Sequence, residues 1–183
     1  MKLHLSQNFL NSTYTDDTGR VIYKVNTPST PLVNGSTTIS KVLPADTDIP
    51  RRDSGSDSDS HERFANLGRI DWRTLQSSLI RILDQQMETK QFFRRDGWSG
   101  KLFGRNRVFT APDGKEYKWI LDPLIMELVL NDGNDSLVAK YHRGNMGITE
   151  EKRRGVLEIY PAGEHMVDLI LVTFVYVEKV RLN

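Results

Sequence analysis

Between Lys90 and Arg107 the chain places six basic residues, Lys90, Arg94, Arg95, Lys101, Arg105 and Arg107, against one acid, Asp96. Phe92, Phe93, Trp98 and Phe103 are interleaved with them. Cationic side chains beside aromatic rings around a glycine-containing loop can hold an anionic lipid headgroup while a ring enters the membrane interface. Each Lys or Arg near such a surface contributes about 1 kcal/mol. The same pattern also describes a solvated strand-loop-strand whose rings belong to the core. A smaller cluster, Lys152-Arg153-Arg154, follows Glu150-Glu151, and those acids largely cancel it.

A second kind of chemistry is written in the segment from Pro44 to Glu62, which carries four serines, six acids and almost nothing apolar. Arg51-Arg52-Asp53-Ser54 resembles a basic-directed kinase site, and Asp53-Ser54-Gly55-Ser56-Asp57-Ser58 resembles a phosphodegron. Phosphate on Ser54 or Ser58 would add about −1.5 to −2 charge each, and the segment could then dock on the basic Lys90–Arg107 region and mask it. With so little to bury, the segment is expected to be a disordered insertion at 44–62 within one domain spanning 1–183. This pattern keeps open a regulated scaffold or protein-interaction role alongside recognition of an anionic membrane surface.

Catalytic chemistry has less to work with. The four histidines, His4, His61, His142 and His165, are scattered, and the chain contains no H-E-x-x-H, nucleophile elbow or phosphate-binding glycine loop. Glu164, His165 and Asp168 form the one local cluster of titratable groups, which helix capping and first-turn carboxylates explain. Asn131-Asp132-Gly133-Asn134-Asp135 offers calcium-like oxygens but lacks the spacing and terminal Glu of a calcium loop, so it reads as a hairpin. The expectation is a binding domain with no cofactor, no metal and no enzymatic activity.

Composition narrows the class further. With 25 basic and 24 acidic residues, no overall charge points to nucleic acid. The absence of cysteine excludes disulfides, thiolate metal sites and cysteine nucleophiles, and suits a reducing, cytoplasmic setting. The N-terminus lacks the apolar segment of a secretory signal. Sequons at Asn11, Asn34 and Asn134 therefore read as turn residues.

The elements that must position these residues are mostly short strands. Lys2–Phe9, Arg20–Asn26, Thr37–Leu43, Phe64–Arg73, Ser78–Leu83, Gln86–Phe93, Arg105–Thr110, Glu116–Leu121, Met126–Leu130, Leu137–Arg143 and Gly155–Tyr160 have strand-like composition. Asp16–Gly19, Ala111–Gly114 and Asn131–Asn134 carry hairpin-turn chemistry between them. The tail from Glu164 to Leu182 is different. Its run from Met166 to Val177 is too short to span a bilayer, which takes about 20 apolar residues, and Asp168 and Thr173 interrupt it. Its β-branched content favours a strand, but its uninterrupted length favours a helix, polar at its ends and apolar all round at its centre. Many antiparallel strands and one such helix predict a mainly β fold: a closed antiparallel β-barrel wrapped around a buried C-terminal helix.

Several segments together carry a family resemblance. They are Arg107–Trp119 (R-V-F-T-A-P-D-G-K-E-Y-K-W), Leu130-Asn131-Asp132-Gly133, Val138–Arg143, Leu157–Pro161 and the tail motif from Asp168 to Glu178. They resemble an uncharacterised fungal, basidiomycete-type domain family that is similar in fold to the tubby C-terminal, phospholipid scramblase and LURP-one-related group. That resemblance implies a closed β-barrel around a central hydrophobic helix and, from the tubby-type domains, phosphoinositide binding through basic surface residues. No lipid-binding motif of the group maps residue by residue onto this chain.

Burying each large apolar side chain of the tail stabilises by about 1.5–3 kcal/mol, against a net domain stability of only about 5–15 kcal/mol. A chain ending at Gly163 is therefore expected not to fold. Recovery of a soluble product with a cooperative urea transition would refute this.

Overall fold

The computed structural model describes residues 1–28, 35–43, 63–82, 85–96, 106–122, 126–144 and 153–182. Among these residues thirteen strands follow in chain order, beginning with β1 (Lys2–Leu5), β2 (Ser12–Thr15), β3 (Val21–Asn26), β4 (Ser36–Val42), β5 (Phe64–Asp71), β6 (Leu79–Ile82) and β7 (Gln85–Glu88). A four-residue helical turn, α1 (Thr89–Phe92), leads to β8 (Arg94–Asp96), β9 (Asn106–Thr110), β10 (Glu116–Leu121), β11 (Met126–Leu130), β12 (Leu137–His142) and β13 (Val156–Ile159). A 3₁₀ segment at Pro161–Met166 then opens the long helix α2 (Val167–Leu182).

All strands join one sheet in the order β7-β6-β5-β4-β3-β2-β1-β13-β12-β11-β10-β9-β8. Each neighbouring pair is antiparallel. The expected closed barrel is not formed, and parity supplies the reason. Direction alternates from strand to strand, so in a sheet of thirteen the two edge strands run the same way and cannot close it by antiparallel pairing. These edges, β7 and β8, are consecutive in the chain. The path pairs with β6 through Gln85–Glu88, turns once through α1, and pairs with β9 through Arg94–Asp96. Where the sequence predicts one strand over Gln86–Phe93, the chain changes edges, leaving an open seam.

Inside the curl lies α2. Its β-branched residues are poor helix formers, but Leu169, Ile170, Leu171, Val172, Phe174 and Val175 are all buried, and enclosure overrides propensity. Contacts reach it from well-separated strands. Phe174 packs on Phe9 and Tyr141, and Trp119 Nε1 donates to Thr173 Oγ1 at 3.1 Å. Tyr23 donates to Asp168, which also pairs with Lys41 at 2.9 Å. Gly163 lets the entry to the helix approach β12, since a Cβ there would lie 2.8 Å from side-chain atoms of both Ile170 and Val138. The tail is thus a buried helix, as its length suggests, although its α-helical part begins at Val167 rather than Glu164. Glu178 is not an exposed polar end either: its side chain is 2% exposed and sits 2.7 Å from Arg181 and 3.5 Å from Arg143.

The hairpins at Asp16–Gly19, Ala111–Gly114 and Asn131–Asn134 lie at the end of the sheet where α2 begins, and Gly114 there adopts φ 79°, which a side chain would strain. Strands β2 and β8 have no counterpart among the sequence-predicted elements. S-T-Y-T and R-R-D carry only Tyr14 as a core residue, and Tyr14 is fully buried with its hydroxyl donated to Phe9 O at 2.9 Å.

Thr173 Oγ1 accepts from Trp119 and donates to Leu169 O at 2.9 Å inside the core. Thr173→Val preserves shape but strands the buried indole N–H. Urea titration should show a loss of about 1–3 kcal/mol; an unchanged midpoint would show that the bond carries no net stability.

Candidate functional site

The seam has two halves, separated by α1. On the side where α2 begins, the free edge of β7 faces the end of β9 across a mainly apolar cavity of about 700 Å³, with Met87, Phe92 and Leu169 in its wall. On the side where α2 ends, a cavity of about 570 Å³ lies between β8, β9, α1 and the 72–78 segment. Lys90, Arg94, Arg95 and Arg107 all line this second cavity, together with Thr74, Ser77, Ser78 and Thr89. Among the described residues, none that lines it is Asp or Glu. The structure therefore brings together four of the six basic residues that the sequence singles out. Lys101 and Arg105 lie outside the described residues, as do Trp98 and Phe103.

Strand register sorts the four. Arg95 on β8 stands directly opposite Arg107 on β9, and Arg107 stands opposite Trp119 on β10. Paired residues share a face, and Trp119 reaches Thr173 of α2, so both arginines point toward the interior of the curl. Arg107 is 6% exposed, with Nη1 3.4 Å from the carbonyl oxygen of Asn106. Arg95 is exposed at the seam, and among the described residues it has no ion-pair partner. Arg94 faces the other way and donates to Glu116 at 3.1 Å. The Glu116 carboxyl, held by hydrogen bonds from Asn131 and then Arg94, stays below the usual carboxylate range. Lys90 pairs with Glu88 at 2.7 Å. The cluster is thus two inward arginines, Arg95 and Arg107, and two cations, Arg94 and Lys90, paired with Glu116 and Glu88.

The wall opposite the arginines is held in place by short polar contacts. Ser77 Oγ lies 3.1 Å from Thr89 Oγ1 and accepts from the Lys90 backbone N–H at 3.1 Å, while Thr89 N donates to Ser78 O at 2.8 Å. Trp72 donates Nε1 to Thr37 at 2.8 Å, stacks on Tyr176 at 5.9 Å and carries the Lys179 ammonium 4.9 Å above its ring. Phe92 and Phe93, expected as interfacial or core rings, are core: Phe92 stacks on Phe109 and Phe93 on Tyr176.

Other candidates separate. Glu164 lies 3.5 Å from the terminal ammonium of Met1, His165 3.3 Å from Asp113, and Asp168 beside Tyr23 and Lys41, so they do not converge. The Asn131–Asp135 segment is the β11–β12 turn, with Asp135 paired to Lys118 at 2.9 Å. No group of three His, Asp or Glu able to hold a metal occurs among the described residues. Among the same residues no helix is long and apolar enough to cross a membrane. Ser54 and Ser58 lie outside the described residues. The residues flanking their segment, Leu43 and Arg63, are joined by a 2.7 Å backbone bond near Lys41 and Asp168, at the end of the sheet away from the basic pocket.

A model described as a family of unknown function, DUF6593, matches residues 7–183, and the chain belongs to that family. No curated protein and no solved structure matches it.

Two guanidinium groups directly opposite on one face of an antiparallel pair repel, at roughly 0.2–1 kcal/mol. Arg95→Gln should therefore raise the stability of the unliganded protein by about that amount. A urea titration showing the variant less stable would mean that Arg95 serves the fold rather than a ligand.

Proposed function

We propose that this member of the DUF6593 family binds the phosphate-bearing headgroup of an anionic lipid in the polar half of the seam, as a non-catalytic, peripheral recognition domain on the cytoplasmic side of a membrane. The observation that carries this reading is the in-register Arg95–Arg107 pair on the inner face of the sheet. A bound anion would convert the repulsion of that pair into two forked, charge-assisted contacts, for which the planar guanidinium suits phosphate better than an ammonium does.

Other features fit the same ligand. The hydroxyls of Thr74 and Ser78, and whichever of Ser77 and Thr89 does not donate to the other, provide neutral donors to further oxygens, and about 570 Å³ is in the range of small-ligand sites. The wall is built before any ligand arrives, which reduces the ordering cost of binding. The fungal family that the motifs resemble is similar in fold to tubby- and scramblase-type domains, which favours an anionic lipid as the source of the phosphate although no lipid-binding motif of theirs maps onto this chain, while a soluble inositol phosphate would satisfy the same donors.

Co-sedimentation at physiological salt with vesicles of phosphatidylcholine alone, with phosphatidylserine, and with phosphatidylinositol bisphosphate tests the reading. Binding should be strongest to the last, and Arg95→Gln should weaken it roughly tenfold, since a hydrogen bond to a charged group contributes about 1.5–3 kcal/mol. Soluble inositol trisphosphate should compete. Binding of the trisphosphate without binding of vesicles would assign the pocket to a soluble anion. Equal vesicle binding by Arg95→Gln would remove the pocket from the account altogether.

A further inference from the structure

The two ends of the curled sheet differ in charge and in their most exposed apolar residue: Met1, Leu43 and Phe64, 36–42% exposed, lie where α2 begins, and Leu75, 98% exposed, lies where it ends. Where α2 begins, charge is mixed: exposed Asp17, Asp113, Asp132 and Glu164 stand among exposed Lys2, Arg20, Arg63 and Lys115. Where α2 ends, the basic pocket is joined, on the far side of the sheet, by a second cavity lined by Arg143, Arg153 and Arg154, all exposed. Topology fixes this division: the 72–78 segment, the start of β13 and the last turn of α2 meet at one end, as Tyr176 on Trp72 and Glu178 near Arg143 show.

Leu75 belongs to this basic end. It is 98% exposed at the tip of the 72–78 segment, on the rim of the pocket. Most single exposed leucines need no explanation. This one stands on a short segment whose base is pinned on both sides, by Trp72 to Thr37 and Tyr176 and by Ser77 to α1. A second exposed leucine, Leu182 at 54%, ends α2 on the same side. Folding has not used the Leu75 side chain, and the cations around it favour one kind of surface.

We infer that the end of the molecule where α2 finishes is its membrane-docking surface, with Leu75 entering the interface of an anionic bilayer and the opposite, mixed-charge end facing water. The inference rests on the headgroup reading and adds to it an orientation and an apolar anchor. An anionic lipid surface offers both the negative potential that these arginines complement and, a few ångströms deeper, the apolar medium that Leu75 lacks. An acidic protein groove is the competing occupant.

Because the native chain has no cysteine, one environment-sensitive fluorophore can be placed at Leu75→Cys and another, in a separate sample, at Asp132→Cys on the opposite end. With phosphatidylinositol bisphosphate vesicles the label at 75 should shift to the blue and become protected from iodide, and the label at 132 should do neither. Leu75→Ser should lower vesicle affinity on the order of tenfold, as expected for losing one buried leucine. Vesicle binding with the label at 75 still quenched by iodide would overturn the anchor and leave the headgroup reading standing. Failure of the unlabelled protein to bind vesicles would overturn both. Leu75→Ser with unchanged vesicle affinity would also overturn the anchor.

Discussion

A helix that is apolar on every side has no face to give to water, and this constraint shapes everything around α2. Leu169 through Val175 are buried without a break, including Thr173, whose hydroxyl is satisfied by Trp119 and the helix backbone. A flat sheet covers one side of a helix, so thirteen short strands must curl until both edges come round to the same region. Short strands permit that curvature because each commits only a few ladder bonds to one direction. Bulges between Tyr14 and Thr15, between Ile39 and Ser40, and between Leu128 and Val129 add local bending.

Enclosing a helix does not require closing the sheet, and the odd strand number leaves the seam as the place where the fold is incomplete. Hydrogen bonds that a closed barrel would make are missing along the free edges of β7 and β8, and the single turn α1 occupies part of the gap. The two sides of that turn differ in chemistry because different loops reach them. One half borders Leu169 and the β9–β10 hairpin and is apolar; the other borders a hydroxyl-rich segment and the inward arginines. The architecture therefore leaves unfilled space at the seam, and the residues bordering each half give it its chemistry.

The hairpin turns and the tail are legible in the sequence because their signals are local. Pro-Asp-Gly at Pro112–Gly114 and Asn-Asp-Gly at Asn131–Gly133 determine backbone shape within a few residues, and an apolar run without a turn has few structural options. Strands β2 and β8 escape notice because strand identity there comes from neighbours. Ser12–Thr15 is held between β1 and β3, and Arg94–Asp96 by β9 alone. The basic cluster is visible as composition, but its division into inward Arg95 and Arg107, outward Arg94 and rim Lys90 depends on register across β8, β9 and β10. Leu75 gives no sequence signal at all, since its meaning comes from complete exposure beside a pocket built by distant segments. The expectation of a closed barrel failed on a matter of counting: eleven sequence-predicted strands, one of which changes edges, cannot reveal the parity of thirteen.

Positive charge at the end where α2 finishes has two explanations that must be separated. Cations near the last turn of a helix complement its dipole, and Lys179 and Arg181 do so, with Arg181 also neutralising the buried Glu178. Arg143 approaches the same carboxylate. These groups have a structural reason for their place. The Arg95–Arg107 pair does not share it: the two residues sit on strands and oppose each other in register, like the Arg69–Arg81 pair on β5 and β6, where Asp71 lies 2.6 Å from Arg69 and Gln86 2.5 Å from Arg81. Arg95 has no such relief among the described residues. Arg95, exposed and facing a hydroxyl-lined space, is the member of the pair that the proposed anion would engage, with Arg107 beside it in register.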